Sequence, residues 1–171
     1  MTRDFKQIVL AGGCFWGVEE YYRRLAGITD TSVGYAQGTK ENPTYKEVCT
    51  GETGHAEAVM ITYNRAAISL NQILDHYFRI IDPTLLNQQG NDIGTQYRTG
   101  IYTMNDNDLL IVRDFIENRR HEYTKPIVVE VEVLKNYFHA EDEHQLYLHK
   151  NPNGYCHVDF SKIRPEELKK D

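Results

Sequence analysis

The chain has 171 residues, 40% of them hydrophobic and 26% charged, with a net charge of −6 at pH 7 and a pI near 5.6. That is enough apolar content for one domain with its own core and no disulfide or metal staple, and an acidic balance without a basic stripe argues against a nucleic-acid binder. No stretch approaches the roughly 20 apolar residues of a membrane span, and the start Met1-Thr2-Arg3-Asp4-Phe5-Lys6 has no signal-peptide core, so a cytoplasmic monomer is expected. In that compartment three cysteines fit transient redox chemistry or inert burial better than structural bridges.

Ile8-Val9-Leu10 reads as a short buried strand. After it, Val18, Tyr22 and Leu25 recur at helical spacing, Arg23 and Arg24 fill a last turn, and Gly27 supplies a stop. A strand follows around Ser32 to Tyr35, then a polar loop from Gly38 to Gly54, then a strand from about Ala56 to Tyr63. Ser69 with Gln72 makes a capping box, and Leu70, Ile73, Leu74, Tyr77, Phe78 and Ile81 form one apolar helical face before Asp82-Pro83 ends it. A strand near Ile101-Tyr102, a helix from about Asp106 to His121 and a Val-rich strand from Ile127 to Leu134 complete the pattern. Arg119-Arg120-His121 complements the dipole at that helix's end rather than forming a binding patch. The order β-α-β-β-α-β predicts an α+β fold, a ferredoxin-like split βαβ sandwich. A single domain over 1–171 is expected, with a core of about 5–134 and an irregular C-terminal segment at 135–171.

Two residues stand out chemically. Cys14, in Gly12-Gly13-Cys14-Phe15-Trp16-Gly17, sits where a strand gives way to a helix, and free N–H groups at a helix start favour a thiolate, so its pKa is expected to fall. Phe15 and Trp16, the only tryptophan, are suited to enclosing a methyl group beside that thiol. Glu57 shares a strand face with Val59, Ile61 and Tyr63. Either it lies at the strand end and meets solvent or an arginine, or its carboxyl is desolvated, which raises its pKa and makes it a proton donor near neutrality.

Gly13-Cys14-Phe15-Trp16-Gly17 resembles the active-site signature of the A-type peptide methionine sulfoxide reductases. Further segments match that family in order: Gly34-Tyr35-Ala36, Asn42-Pro43-Thr44-Tyr45, Gly54-His55-Ala56-Glu57-Ala58-Val59, Gln89-Gly90-Asn91-Asp92, Gly94-Thr95-Gln96-Tyr97-Arg98 and His149-Lys150-Asn151-Pro152. The resemblance covers nearly the whole chain. It implies that Cys14 attacks the sulfoxide sulfur while Glu57 protonates the oxygen, and that Phe15 and Trp16 hold the methyl group. Tyr45 and Tyr97 would hydrogen-bond the oxygen and Asp92 would orient the site. It further implies selectivity for the S epimer, no bound cofactor, and an external thiol reductant, thioredoxin in the cell or dithiothreitol in vitro.

Cys156, in Asn153-Gly154-Tyr155-Cys156-His157, resembles the family's resolving cysteine, which would capture the sulfenic acid on Cys14 as a disulfide. Some family members carry a further recycling cysteine, but none follows Cys156 here, which implies one Cys14–Cys156 bridge reduced directly by thioredoxin. Cys49 is expected to be inert or semi-buried. His139, His144 and His149 recur every five residues in no zinc or di-iron spacing, so they are expected to order the segment by hydrogen bonds, without a metal. An alternative in another class is a peroxide-sensing interaction protein that uses the same cysteine pair as a redox switch. Such a sensor has no need of an acid at Glu57.

Overall fold

The computed structural model describes residues 4–170; the expectations about Met1-Thr2-Arg3 and Asp171 lie outside them. The elements are β1 (Phe5–Gly12), α1 (Phe15–Arg23), β2 (Ile28–Ala36), α2 (Tyr45–Cys49), β3 (Ala56–Asn64), α3 (Leu70–Ile80), β4 (Gln88–Gln89), β5 (Asp92–Ile93), β6 (Thr99–Thr103), α4 (Asp106–Arg119), β7 (Glu130–Val133), β8 (Tyr137–His139) and α5 (Tyr147–Lys150). One six-stranded mixed sheet runs β7-β6-β1-β3-β2-β8, and β4 with β5 makes a small separate hairpin. β3 lies antiparallel between β1 and β2, the two strands that α1 connects, so β1 and β2 run in one direction. β6 is antiparallel to β1, β7 parallel to β6, and β8 antiparallel to β2.

Alternation along the strands sends two sets of side chains to opposite faces. Ile8, Leu10, Val33, Tyr35, Val59, Ile61, Tyr63 and Ile101 pack beneath α1, α3 and α4, against Phe15, Val18, Tyr22, Ile73, Leu74, Tyr77, Val112 and Ile116. The other face is built of smaller groups, Val9, Ala11, Ala36, Ala56 and Ala58, with Tyr102, and is covered by Met60, Leu134 and Tyr137. Fully burying one of the large aliphatic side chains is worth roughly 1.5–3 kcal/mol, so the helix-covered face dominates stability.

The α3 cap is as expected: Ser69 Oγ accepts the Gln72 N–H at 3.1 Å and Gln72 Oε1 accepts the Ser69 N–H at 2.8 Å. Tyr77, deep in the core, donates its hydroxyl to the Ala11 carbonyl at 2.5 Å and accepts the Gly100 N–H at 3.0 Å, pinning the end of β1 just before the Gly12-Gly13-Cys14 turn. Arg119 closes α4 and also pairs with Asp75.

Three expectations need correction. The Gly38–Gly54 loop contains α2, started by a reciprocal cap between Thr44 and Glu47. The Val-rich strand is shorter than 127–134, because the Val128 N–H bonds to the Pro83 carbonyl instead of the sheet. The C-terminal segment is not wholly irregular: it supplies the edge strand β8 and the short helix α5.

Candidate active site

The site is organised around the turn from β1 into α1. Gly13 has φ +88°, and a Cβ there would stand 2.8 Å from the Gln89 Cβ and 2.9 Å from His157 Nε2, so the position requires glycine twice over. Cys14 occupies the N-cap of α1, and its side chain caps nothing. The Phe15 N–H, one of the amides a helix start leaves without an intrahelical partner, donates to Glu57 Oε1 at 3.2 Å.

Glu57 reaches this amide from β3, on the helix-covered face, where it is 1% exposed. Its Oε2 is buried with no hydrogen-bond partner among the described residues. Burial pushes the pKa up to about 8, with the negative charge of Asp92 adding to it and the Phe15 N–H only partly opposing it. At neutral pH the group is therefore largely a neutral acid with one free oxygen.

The expectation for Cys14 is overturned. Its pKa lies well above the ordinary thiol value because the side chain is only 6% exposed and burial disfavours the thiolate, with the nearby Glu57, Asp92 and Cys156 adding to the effect. The Trp16 N–H does favour the anion, as a helix start should, but desolvation is the larger effect.

Tyr45, the first residue of α2, and Tyr97, in the turn before β6, both have hydroxyls held neutral, first by burial and then by the charge of Glu57. The Tyr45 ring lies 6.4 Å from that of Phe15. Asp92, on β5, acts electrostatically on Cys14, Glu57 and Tyr97, and accepts the Tyr155 hydroxyl at 2.9 Å. Phe15 is fully buried, whereas Trp16 is half-buried, its indole stacked on Tyr147 with 3.9 Å between centroids.

All three cysteines are free thiols. Cys156 is half-buried, and its Sγ lies 2.8 Å from where a Cβ on Gly17 would be, so it rests on α1 one turn beyond Cys14. Cys49, expected inert or semi-buried, is exposed at the end of α2, and its thiol lies against the Tyr45 hydroxyl. Of the three spaced histidines, His144 is buried and bonded to Trp16, while His139 and His149 are exposed.

The sequence profile of the family described as Peptide methionine sulfoxide reductase matches residues 6–171. The peptide methionine sulfoxide reductase MsrA of Clostridium botulinum (strain Okra / Type B1) is 58% identical over 153 residues, spanning 90% of this chain and 98% of the relative. The chain belongs to the peptide methionine sulfoxide reductase A family. It is accordingly a methionine sulfoxide reductase, an oxidoreductase. Mxr1 from Saccharomyces cerevisiae in reduced form superposes with a TM-score of 0.86 at 43% identity, covering 91% of each chain. Mxr1 in complex with Trx2 superposes at 0.62 with 30% identity, covering 86% of this chain and 87% of that one.

This reductase draws on residues the sequence reading leaves without a role. Glu141 accepts the Tyr35 hydroxyl at 2.7 Å and the Tyr45 N–H at 2.9 Å, tying α2 to the C-terminal segment. His157 bonds through Nε2 to the Gly12 carbonyl at 2.8 Å, leaving a buried Nδ1 without a partner among the described residues. Ala140-Glu141-Asp142-Glu143-His144 shows no apolar period, so the only available signal is polar density in a segment too long to be an idle loop.

Proposed function

We propose that this reductase converts methionine S-sulfoxide, free or in proteins, to methionine through a sulfenic acid on Cys14 and a Cys14–Cys156 disulfide that thioredoxin reduces. The observation that carries the reading is Glu57: a buried acid, raised to about 8, bonded to the first amide of the helix at whose N-terminal boundary Cys14 stands, with one oxygen free.

Cys14 Sγ bonds to the sulfoxide sulfur while Glu57 protonates the oxygen. The hydroxyl then transfers from that sulfur to Sγ as the S–O bond and the new Sγ–S bond both break, which leaves methionine and a sulfenic acid on Cys14, and the thiol proton restores Glu57. Tyr45 and Tyr97, neutral donors, hydrogen-bond the oxygen; Phe15 and Trp16 hold the methyl group; Asp92 orients the surroundings. The Cys156 thiol then attacks the sulfenic sulfur and releases water, and a thioredoxin dithiol exchanges with the disulfide. That one relative is described in complex with Trx2 supports this reductant. No bound cofactor is required by this scheme. A peroxide sensor would use the same thiols but would leave Glu57 without a task.

The β1-α1-β2-β3-α3-β6 order and the strand order β6-β1-β3-β2 support a ferredoxin-like core, extended by β7 and β8 into one domain. Among the described residues no helix is long and apolar enough to cross a membrane, and a monomer in the cytoplasm is the setting we propose.

Single-turnover methionine release from a racemic sulfoxide, with dithiothreitol for the multiple-turnover arm, tests the scheme. Wild type reduces one epimer, Cys14→Ser none, and Cys156→Ser gives about one equivalent per enzyme. Release by Cys14→Ser would overturn it.

A further inference from the structure

Glu19, on α1, is 1% exposed and takes no part in the chemistry above. Both its oxygens are engaged: Oε1 accepts the Leu146 N–H at 2.8 Å and Oε2 accepts the Thr31 hydroxyl at 2.9 Å. Burial raises the pKa of this carboxyl, and the two hydrogen bonds only partly oppose that rise.

Its partner is a strained residue. Leu146 stands at φ 53° and ψ 36°, a left-handed conformation that costs a non-glycine residue roughly 1–3 kcal/mol and persists only where surrounding contacts impose it. Those contacts are visible. Gln145 Oε1 accepts the Val33 N–H at 2.9 Å, and its Nε2 donates to the carbonyls of Val33 and Ala140 at 2.8 and 2.9 Å, fastening the chain to β2 on one side of the kink. Glu19 fastens the next residue to α1.

The kink places its two flanking aromatics on one target. His144 Nδ1 accepts the Trp16 indole N–H at 3.1 Å, and the Tyr147 ring stacks on the indole at an interplanar angle of 14°. An indole N–H can only donate, so His144 is neutral with its proton on Nε2. The His144 ring also lies 4.3 Å from Tyr45 and 5.6 Å from Phe15, so one segment organises the whole aromatic wall of the site.

We propose that Glu19 is a positioning residue: by holding the Leu146 turn against α1, it locks the His144–Trp16–Tyr147 assembly and so sets the width of the pocket that admits the S-methyl group of the substrate. The assignment of that pocket rests on the proposed reductase mechanism. The carboxylate touches no reacting atom. What it controls is binding and the discrimination between a methyl and a larger S-alkyl group.

Trp16 is the only tryptophan in the chain, so its emission reports on the assembly directly and without turnover. The test compares wild type with Glu19→Ala, with Glu19→Leu as a volume-filling second variant, and with Glu19→Gln, which can still accept the Leu146 N–H. Emission maximum and acrylamide quenching are read first, then steady-state kinetics on methionine sulfoxide and ethionine sulfoxide. Glu19→Ala and Glu19→Leu are expected to red-shift the emission and raise quenching. Their KM for methionine sulfoxide is expected to rise roughly tenfold with kcat within about twofold, the pattern of lost uniform binding, and their preference over ethionine sulfoxide to narrow. Glu19→Gln is expected to restore both readouts. Unchanged emission in both apolar variants, or Glu19→Gln behaving as they do, overturns the proposal. Wild type inactive on both sulfoxides would instead overturn the underlying mechanism, and the fluorescence would still decide the positioning.

Discussion

Replacing Glu57 with Gln should separate stability from activity in opposite directions. The carboxyl titrates near 4.5 in an unfolded chain and at about 8 in the folded one, so between those values the folded state holds a proton that the unfolded state has lost. Folding stability attributable to Glu57 is therefore full below about pH 4.5, declines as pH rises, and is gone above about 8. At about 1.4 kcal/mol per pH unit, moving from about pH 6 to about pH 7.5 removes roughly 2 kcal/mol. With the side chain 1% exposed, no discount for solvent screening applies. Glutamine keeps an oxygen for the Phe15 N–H but has no proton to lose, so Glu57→Gln should lack this slope. Urea unfolding of both proteins at the two pH values, under dithiothreitol, measures the difference of differences, in which every titrating group common to both proteins cancels. Activity should fall by roughly a hundredfold or more with loss of the proton donor. Parallel pH dependences, agreeing within about 0.5 kcal/mol, would refute the claim that Glu57 is buried as an acid.

Iodoacetamide at mildly alkaline pH should label Cys49 before Cys14, since Cys49 is exposed while burial holds Cys14 as a thiol; peptide mapping by mass spectrometry gives the order. Gly17→Ala would put a Cβ 2.8 Å from Cys156 Sγ and 2.9 Å from the Val158 side chain, displacing the C-terminal segment from α1. Single-turnover methionine release should persist within about twofold, while disulfide formation, followed by thiol titration, slows roughly tenfold to a hundredfold. Tyr77→Phe should cost about 2–4 kcal/mol in denaturant unfolding, because the buried Ala11 carbonyl and Gly100 N–H both lose their shared hydroxyl.

Helix α3 is legible in the sequence because reciprocal capping and a 3.6-residue period act over eleven residues, long enough for both signals to show. Helix α2 has five residues, too few for a period, and only Thr44 with Glu47 marks it. β8 has three residues and owes its pairing to the open edge of β2, a tertiary opportunity that no local pattern announces. At the site, the turn and strand placing Cys14 and Glu57 are readable because each follows from its own neighbours. The direction of the Cys14 shift is not, since it depends on how completely C-terminal and hairpin residues such as His157 and Gln89 close over the β1–α1 turn. The Trp16 assembly escapes for a related reason: it is made by single polar contacts from a segment more than a hundred residues away.

The segment that carries Cys156 is anchored at both ends. At the front, β8 pairs with β2; at the rear, the Glu167 carbonyl accepts the Ala26 N–H at 2.8 Å, the Arg24 carbonyl accepts the Lys169 N–H at 2.9 Å, and Arg79 grips the Glu167 carboxylate. The second thiol is thus carried in a loop held at both ends rather than at the tip of a free tail. Its effective concentration beside Cys14 is set by loop geometry, in the millimolar range or above for a short tether, and does not vary with enzyme concentration. On the proposed mechanism, a single proteolytic nick between Cys156 and Phe160 would open the loop and release Cys156 from α1 while leaving Cys14 and Glu57 in place. The first turnover would survive the cut, and the sulfenic acid it leaves would become long-lived enough to be trapped by an outside nucleophile.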